Sequence, residues 1–591
     1  MTGPPATATE PGPLRQAGRG IGRAALLIGG ITVVARAIGF GRQLVFAHTI
    51  GSHCLGTAYA TANQVPNIVY DIVLGGALTS AVIPVMAGVA ARRAEPAAAG
   101  PVPVARQRGA TGGTSASPAS DGSTAGRAGT AGMAGTADAA QADAETSQTA
   151  SALLTWTVLL LAPVSLVLVL VAGPVTSLLL AGSPGCQQGA MQSLSTRMLA
   201  VFAPQILLYG LAVVLYGILQ AHRRFTAPAL APVVSSLVVM AAYLAFVPLG
   251  AGSRQDVATL PLPAELVLSV GTTAGVAALT ITALVPALRL RLRLRPVLRF
   301  PAGVARRVRG LAAVGVAVVI AQDISLAVVI VLANGHGGGG ALVLYNYGWQ
   351  MFFVPYAVLA VPIATSAFPV LSAREGGAFD QTAASSTRAV MLVSWLGAAL
   401  LAGAAIPASR LFAPSGPVQA RELAIAFAAF APGLVGYGLA ANLSRVLFAY
   451  QRSRVAAIAL VAGWLLVIVT DLAAVPAVPH RWVVPVLAMG NTVGLTVAGI
   501  ALLAAVRAAR GPAALAGSGR AALAGLAGAL AGAAAGTGVS AGLPVAGFFP
   551  NAGVAVLACA AAAAAFGAIV LVGDGGELRV LAARARARIA R

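Results

Sequence analysis

The sequence predicts an all-α membrane protein of about fourteen transmembrane helices, and three observations support this fold class. Of the 591 residues, 58% are hydrophobic and only 9% are charged, against roughly 25% charged residues in soluble domains. The mean hydropathy is +0.86, and apolar stretches long enough to cross about 30 Å of hydrocarbon recur along the chain. Arginines also gather in alternate loops between these stretches, the arrangement typical of a polytopic membrane protein.

The fourteen predicted spans, numbered in chain order, are 24–50, 58–91, 152–181, 194–221, 227–250, 264–288, 310–334, 341–372, 387–407, 423–450, 455–475, 484–506, 520–540 and 547–572. They divide the chain into an N-lobe (24–288, spans 1–6), a C-lobe (310–506, spans 7–12) and a final pair of helices (507–572). The polar segments are a disordered cytoplasmic N-terminus (1–23), a disordered Ala/Gly/Ser/Thr-rich loop (94–150), a basic cytoplasmic linker (289–309) and a basic cytoplasmic tail (573–591).

All 38 basic residues are arginine and the net charge is +22. A GC-rich genome would account for arginine without lysine. The arginines lie between apolar spans, which indicates topology and contact with membrane lipids rather than nucleic-acid binding. The linker run Arg289 to Arg309 marks the cytoplasmic side, so both termini are predicted there. Loops assigned to the outside carry few arginines: Arg254, Arg410, Arg421 and Arg481.

An internal repeat supports two similar lobes. The residues Phe202-Ala203-Pro204, followed four residues later by Tyr-Gly-Leu-Ala, recur 228 positions onward at Phe430-Ala431-Pro432. Spans 4 and 10 start on the same side of the membrane and run the same way. The two lobes are therefore predicted to be parallel repeats around a central substrate path, as in many secondary transporters.

Charged residues inside the bilayer cost about 2.5–3.5 kcal/mol each and often mark function. Arg36 and Arg42 share span 1, about 9 Å apart along the helix axis. Guanidinium groups there would suit phosphate oxygens. Snorkelling, or pairing with an acidic residue such as Asp71, is the alternative role. The intramembrane charged residues are Arg36, Arg42, Asp71, Asp323, Arg445 and Asp471.

Asp323 in span 7 and Asp471 in span 11 follow apolar runs. A carboxylate in that setting binds a cation, carries a proton or pairs with an arginine. Thr492 and Asn491 in span 12 could add neutral oxygens to a cation site. For Asp471, which is predicted close to the outer interface, simple solvation is the alternative.

Cys54, Cys186 and Cys559 form neither a disulfide framework nor a metal motif, and no metal site is assigned. Cys54 and Cys186 fall in loops predicted outside, where one bridge is permitted, but we expect two free thiols. The chain carries no nucleotide-binding loop, HExxH motif or credible Ser/His/Asp arrangement. We therefore expect no enzyme activity and no cofactor.

Prolines and glycines indicate where helices bend or pack closely. Prolines in spans 2, 4 and 8 free backbone carbonyls that only a protein interior or a watery cavity tolerates. In span 13, Gly528, Gly532 and Gly536 are spaced for close packing with span 14, although so Ala/Gly-rich a segment also yields this pattern by chance. The candidate bending residues are Pro66, Pro84, Pro204, Pro355, Pro362 and Pro369.

Four segments of the chain carry a recognisable pattern: ITVVARAIGFGR (31–42), TAYATANQVPN (57–67), GGA (75–77) and the Pro-rich segment 354–372, within a fourteen-helix plan over 24–572. In these segments the chain resembles the MurJ/MviN family of lipid II flippases in the MOP exporter superfamily. The resemblance implies that the span-1 arginines, Arg36 and Arg42, face a cationic central cavity that receives a lipid-linked diphosphate sugar.

The sequence departs from the family pattern at Thr57, where an acidic residue is usual, and at Tyr70 and Gln350, where arginines are usual. The implied substrate site is thus Arg36, Arg42, Thr57, Tyr70, Asp71 and Gln350, in a less basic cavity. The departures fit an actinobacterial-type branch with the same substrate or a paralogue that moves another polyprenyl-linked glycan, and we favour the first. Some relatives resemble sodium-coupled transporters. In this chain, Asp323, Asp471 and Thr492 are the candidates for coupling transport to Na⁺ or H⁺.

The function implied by the resemblance is flipping of lipid II, the peptidoglycan precursor, from the inner to the outer leaflet of the cytoplasmic membrane by alternating access. The alternatives are transport of another polyprenyl-linked glycan, a multidrug or metabolite antiporter on the same scaffold, and a non-transporting scaffold for cell-wall synthesis proteins.

Overall fold

The computed structural model describes residues 31, 34–72, 125–222, 224–290, 295–298, 304–413 and 416–573. These residues form helices joined by short turns, and no β-strand occurs among them. The predicted all-α class is confirmed. In the first half of the chain the helices are α1 (34–49), α2 (Cys54–Tyr70), α3 (Ala125–Leu170), α4 (Ala172–Leu179), α5 (Gln188–Phe202), α6 (Gln205–Ala221), α7 (Thr226–Gly250) and α8 (Leu262–Leu288).

The second half of the chain begins after the basic linker. Its helices are α9 (Val304–Gly337), α10 (Ala341–Pro355), α11 (Val361–Ser372), α12 (Gly376–Gly403), α13 (Ala405–Phe412), α14 (Pro417–Phe430), α15 (Gly433–Ala449), α16 (Ser453–Ala474), α17 (Val483–Arg510), α18 (Ser518–Gly542) and α19 (Phe548–Gly573). A short π-helical turn, Tyr356–Ala360, joins α10 to α11.

Twelve of the predicted spans, spans 3 to 14, coincide with helical segments long and apolar enough to cross a membrane. Eleven are single helical segments, and span 10 is the pair α14 and α15, bent by 42° where they meet. Spans 1 and 2 lie partly outside the described residues, which retain α1 from the first and α2 from the second. The structure therefore supports a multi-pass membrane protein.

The prediction of a disordered loop at 94–150 was wrong for its last part, because α3 already begins at Ala125. Residues 125–150 are rich in alanine, the residue with the highest helix propensity. Extending a helix that the apolar span has already nucleated costs far less than starting a new one. The earlier part of the predicted loop, 94–124, lies outside the described residues, as do 1–23 and 574–591.

The internal repeat predicted from sequence reappears as a repeated helix break. Helix α5 ends at Phe202 and α6 begins at Gln205, while α14 ends at Phe430 and α15 begins at Gly433. Each break contains the proline of the repeated motif, which cannot donate the backbone hydrogen bond that a continuous helix needs. Helices α6 and α15 also end at equivalent positions, Ala221 and Ala449.

The final helices α18 and α19 form a hairpin that packs on α12 of the second half. The three glycines predicted for close packing lie at this contact. A Cβ on Gly532 would lie 2.7 Å from Ala562 O of α19 and 3.0 Å from Ala399 Cβ of α12, and one on Gly536 would lie 2.7 Å from Gly403 Cα. The three glycines thus allow close packing of α18 with two helices, α12 as well as the predicted partner α19.

The expectation of free thiols at Cys54 and Cys186 was wrong, since the two residues form a disulfide with a Cα–Cα distance of 5.8 Å. Helix α2 packs on α5, and this contact brings the start of α2 against the α4–α5 turn, 132 positions along the chain. Sequence spacing cannot reveal such a pairing, because it depends on which helices pack together. The disulfide lies at one end of the helix bundle, called here the disulfide end.

Candidate functional site

A cavity of about 310 Å³ lies between the two halves of the bundle. Its walls come from α1, α2, α6, α7 and α8 on one side and from α10 on the other. Its lining residues are Arg42, Gln43, Phe46, Tyr59, Ala60, Asn63, Gln64, Asn67, Tyr209, Ser235, Val239, Tyr243, Thr272, Val276, Val343, Asn346, Tyr347, Trp349 and Gln350. We call it the central cavity.

Helix α2 contributes a polar face to the central cavity. Tyr59, Asn63, Gln64 and Asn67 recur at the spacing of one side of an α-helix. The Gln64 side chain donates a hydrogen bond of 3.3 Å to Asn346 Oδ1 of α10, which joins the two halves across the cavity. Polar side chains at this depth are costly in a membrane protein unless they face one another or a water-filled space.

Hydroxyl groups cluster on the same side of the cavity, where α2 meets α7 and α8. The Tyr59 hydroxyl lies 2.9 Å from that of Tyr243 and 2.7 Å from Thr272 Oγ1, and all three residues are buried. The Thr272 hydroxyl in turn donates to the backbone carbonyl of Leu268. These bonds fix the Tyr59 ring in place and leave the cavity wall rigid.

Arg42 is the one charged residue among the described lining residues of the central cavity. It is half-buried, and its Nε is shielded from solvent and has no hydrogen-bond partner among the residues that the structure describes. A buried guanidinium N–H without an acceptor is costly, and a bound anion would supply that acceptor. The arrangement therefore suits a phosphate or carboxylate group held in the cavity.

The structure brings Gln350 together with Arg42 in the central cavity, but Tyr70 and Asp71 are not among the lining residues. The Tyr70 ring packs 4.9 Å from the ring of Tyr209, which does line it. Asp71 ends α2, half-buried, within electrostatic range of Asp323 of α9.

Thr57 has a structural place at the disulfide end. It is fully buried, and its Oγ1 accepts a 2.7 Å hydrogen bond from the backbone N–H of Gly340. The threonine that replaces the family's usual acidic residue thus ties α2 to the turn before α10.

Arg36 lies on α1 about 9 Å further from the disulfide end than Arg42. It is exposed, does not line the central cavity, and its Cζ lies 5.5 Å from the ring centroid of Phe353 on α10. Helix α1 continues through Gly39 without a break. The two arginines therefore occupy successive levels along the gap between α1 and α10, rather than one shared cavity.

The three candidate cation-coupling residues do not form one site. Asp323 is 1% exposed, and none of the described residues forms a hydrogen bond with its Oδ2. Asp471 of α16 is fully buried under Gly490 of α17, and neither of its carboxylate oxygens has a partner in the described part of the chain. The Thr492 hydroxyl instead donates a 2.6 Å bond to Ala429 O at the α14–α15 break. Asp471 alone of the three combines full burial with a wholly unpartnered carboxylate.

Asn491 and Tyr345 lie beside Asp471. Tyr345 of α10 is within electrostatic range of the carboxylate, and its hydroxyl accepts a 2.8 Å hydrogen bond from Asn491 Nδ2. Because α10 also lines the central cavity, this contact connects the Asp471 region to the cavity through one helix.

At the disulfide end the two halves close over the central cavity. The Asn334 amide of α9 donates to Thr61 Oγ1 at 3.0 Å and to Leu179 O at 2.8 Å. Ser52 and Gln419 of α14 exchange two hydrogen bonds, of 2.8 and 3.0 Å. These contacts, with the Thr57–Gly340 bond, form what we call the closure.

The closure also depends on the glycine turn before α10. Gly338 and Gly340 adopt φ values of +76° and +99°, which side-chain-bearing residues rarely adopt. A Cβ on Gly339 would lie 2.7 Å from Cys186 Sγ, so the turn fits directly against the disulfide. Nearby, burial lowers the pKa of the His53 imidazole and Arg254 lowers it further, which favours neutral His53 at this interface.

Sequence reasoning missed most of the polar cavity wall. Asn63, Gln64 and Asn67 carried a usable signal, since polar residues four apart on an apolar span mark a helix face turned away from lipid. Tyr243, Thr272 and Asn346 lie singly on three other helices. Nothing local distinguishes them from polar residues that bond within their own helix.

A family model described as Lipid II flippase MurJ matches residues 135–542, more than half of the chain. The fold is similar to that of a solved lipid II flippase MurJ in an inward closed conformation, with TM-score 0.62 and 15% identity over 92% of this chain and 99% of that one. It is also similar to an inward-facing multidrug resistance MATE family transporter of the MOP superfamily (TM-score 0.57, 12% identity, 80% of this chain and 95% of that one).

A eukaryotic MATE transporter, AtDTX14, shares the fold as well, with TM-score 0.51 and 16% identity over 82% of this chain and 97% of that one. At such identities the structural likeness shows a common fold, and the substrate must be argued from the site. The family-model match is the finding that shows kinship, and by it the chain belongs to the lipid II flippase MurJ family.

Proposed function

We propose that this chain flips lipid II from the inner to the outer leaflet of the cytoplasmic membrane by alternating access, with Arg42 as the residue that holds the diphosphate. The observation that carries the proposal is the unpartnered Arg42 Nε in a polar cavity between the two halves of a MurJ family member. A diphosphate offers several acceptor oxygens to a guanidinium fork, and the charge-assisted bonds are stronger than neutral ones.

The predicted orientation gives direction to the cycle. Disulfides form outside the cytoplasm, so Cys54–Cys186 supports an outward-facing disulfide end, and the arginine-rich loops at the other end support a cytoplasmic location of both termini. In that orientation the closure seals the outer side. Exposed Arg36 then meets the diphosphate nearer the cytoplasmic side and Arg42 receives it deeper in the protein.

The central cavity is small for this substrate. Its volume of about 310 Å³ is at the low end of small-molecule sites, which span about 300–1,000 Å³. A diphosphate-linked glycan would therefore enter as the halves part on the cytoplasmic side, with its polyprenyl tail left in lipid near α18 and α19. An antiporter for cationic drugs would be better served by acidic groups, and the described lining of this cavity contains none.

We further propose that a cation resets the cycle through Asp471. Sodium binding or protonation would supply the positive charge that the unpartnered carboxylate lacks. The membrane potential contributes about 2.3 kcal/mol per charge per 100 mV, enough to favour inward movement of such a cation.

The test is rescue of a MurJ-depleted bacterium, with outer-leaflet lipid II measured at matched protein levels. The unaltered chain should restore outer-leaflet lipid II, whereas Arg42→Gln should reduce the transport rate at least about tenfold, because a hydrogen bond to a charged group contributes about 1.5–3 kcal/mol. Arg36→Gln should reduce it less.

Arg454→Gln is the matched control, because Arg454 is exposed near the start of α16 and outside the cavity. It should transport as the unaltered chain does. Full transport by Arg42→Gln, or a stably produced unaltered chain that never raises outer-leaflet lipid II, would refute the proposal.

A further inference from the structure

Three of the four arginines in the predicted outer loops come together at one place. Arg410 lies in the last turn of α13, Arg421 lies in the first turns of α14, and Arg481 lies between α16 and α17. These arginines line two neighbouring pockets. Short outer loops normally exclude arginine, so membrane topology does not explain three of them in one region.

The first pocket has a volume of about 580 Å³ and lies between the end of α1, helices α13 and α14, and the α18–α19 turn. Arg410 and Arg421 line it together with His48, Ser409, Phe548 and Asn551. The second, of about 650 Å³, shares Pro417 and Arg421 with the first and is also lined by Glu422, Arg481 and Trp482. Together they form the outer basic groove, which is separate from the central cavity.

The positive charge of the outer basic groove is largely uncompensated. Glu422 is the one carboxylate among its described lining residues, against three arginines. No described carboxylate forms an ion pair with Arg410, Arg421 or Arg481. Arg410 Nη1 donates a long hydrogen bond, 3.5 Å, to the carbonyl of Val545. The amino end of α14, where peptide dipoles favour anions, adds to this field.

Asn551 supplies a second polar feature. Its side chain is nearly fully buried and lines the first pocket. Its Nδ2 donates to Gly547 O at 2.7 Å, while no described residue forms a hydrogen bond with its Oδ1. A buried acceptor beside guanidinium groups that form no described ion pair suits a ligand that carries a hydroxyl as well as an anion.

The surroundings of the groove indicate a lipid rather than a dissolved ion. Phe549 is 83% exposed beside the first pocket, and Val418 and Trp482, which line the second, are 65% and 41% exposed. Exposed phenylalanine and valine are stable against acyl chains, and tryptophan favours the headgroup level of a bilayer. The basic side chains and this apolar rim therefore lie where headgroup and acyl chain of one lipid would meet them.

We propose that the outer basic groove binds the phosphate of an anionic glycerophospholipid in the outer leaflet. Arg410, Arg421 and Arg481 donate to the phosphate oxygens, and Asn551 Oδ1 accepts from a glycerol hydroxyl of the headgroup. The groove is a lipid site of its own, and it stands whether or not the chain flips lipid II. Because Gln419 of the closure lies in the same turn of α14 as Arg421, a bound lipid would also hold the closure in place.

Trp482 provides a reporter for this site. The full chain is reconstituted in phosphatidylcholine nanodiscs that contain increasing amounts of brominated phosphatidylglycerol, or of brominated phosphatidylcholine in a parallel series. The fluorescence of Trp482 is obtained by subtracting the emission of the Trp482→Phe variant from that of the unaltered chain. We expect half-maximal quenching at a clearly lower fraction of brominated phosphatidylglycerol than of brominated phosphatidylcholine.

Removal of the arginines should weaken that preference in steps. Arg421→Gln should raise the half-quenching fraction of phosphatidylglycerol about fivefold, and Arg410→Gln with Arg421→Gln about twenty-five-fold, from the usual attraction of one basic residue to an anionic membrane surface. Arg454→Gln, at the opposite end of the bundle, should leave it unchanged. Size-exclusion profiles verify folding. Because Arg421 is exposed, the single variant is expected to fold as the unaltered chain does.

A competition with inorganic phosphate distinguishes a site for a lipid phosphate from a site for a dissolved phosphate ion. We expect that added inorganic phosphate does not reduce the quenching by brominated phosphatidylglycerol. Equal quenching by the two lipids, an unchanged preference in the folded Arg421→Gln and double variants, or full displacement of phosphatidylglycerol by inorganic phosphate would each overturn the proposal of a lipid site.

Discussion

Burial of the Asp471 carboxylate costs free energy of folding, and a function in cation binding would explain why the chain carries it. Its carboxylate is fully buried in α16, and neither oxygen accepts a hydrogen bond from a described residue. An ionised carboxylate in that position destabilises the fold unless a cation or a proton compensates it. Glycine at position 490 leaves the space above it open, since a Cβ there would collide with Asp471 Oδ1.

At the residue scale we predict that Asp471→Asn removes the response of the protein to the cation proposed to act at this carboxylate. If sodium is that ion, the unfolding temperature of the unaltered chain should rise with sodium, since a ligand at a hundred times its Kd stabilises the folded state by about 2.7 kcal/mol. A proton-coupled chain should respond to pH instead. Asp471→Asn should respond to neither and should unfold at or above the temperature of the ion-free chain.

The measurement is thermal unfolding in detergent across sodium and pH series. Asp256→Asn is the matched control, since Asp256 is exposed in the α7–α8 loop. It should keep the response of the unaltered chain. Retention of the full ion response by Asp471→Asn would assign coupling to another residue, with Asp323 the next candidate.

At the scale of elements, the α18–α19 hairpin depends on glycine for its attachment. A Cβ on Gly536 would lie 2.7 Å from Gly403 Cα of α12 and 3.0 Å from Ala558 O of α19, and both contacts are with backbone. Backbone cannot move aside as a flexible side chain can, so the helices would have to separate. Close backbone approach at small residues is a principal source of helix association in membranes.

We therefore predict that Gly536→Ala destabilises the protein by about 1–3 kcal/mol through overpacking. Gly538→Ala is the control, two positions later on the same helix, where a Cβ would meet nothing within 4 Å. That substitution should be neutral or stabilise by up to about 1 kcal/mol, because alanine is the better helix former. Denaturant or thermal unfolding of the two variants gives the comparison, and equal stabilities would show that α18 does not depend on this contact.

At the scale of the whole molecule, the closure decides which end of the central cavity is sealed. The described hydrogen bonds between the halves include Asn334 with Thr61 and Leu179, Ser52 with Gln419, and Gln64 with Asn346. Most lie at the disulfide end. Opening this end would break the closure, so the population of that state depends on the strength of these few bonds.

We predict that Asn334→Ala combined with Gln419→Ala shifts the population towards a state open at the disulfide end. Each lost hydrogen bond contributes about 0.5–1.5 kcal/mol, and every 1.4 kcal/mol changes the equilibrium tenfold. Distances between spin labels at Gln187→Cys and Ala477→Cys, in a Cys559→Ala background, should lengthen in the double variant. Gln255→Ala removes an exposed amide at the same end and should leave the distances unchanged. Unchanged distances in the double variant would contradict the predicted role of the closure.

The fold class, the positions of spans 3 to 14 and the repeated helix break were all predictable from the sequence, because hydropathy over some twenty residues and a proline in a helix act locally. The sequence also identified Arg42 and Gln350 as cavity residues, through the family resemblance. It failed at 125–150, where a polar composition was interpreted as disorder although alanine favours helix.

The contacts between residues distant in sequence became apparent from the three-dimensional structure. Cys54 is bonded to Cys186, Thr57 belongs to the closure, and Arg36 lies apart from Arg42. The Thr492 hydroxyl bonds to Ala429 rather than to Asp471, and three outer arginines line one groove. These placements depend on which helix faces pack together, and packing is a property of shapes in contact. Periodicity shows which face of a helix avoids lipid, whereas the identity of the facing helix is set by close contacts such as those at Gly271, Gly436 and Gly536.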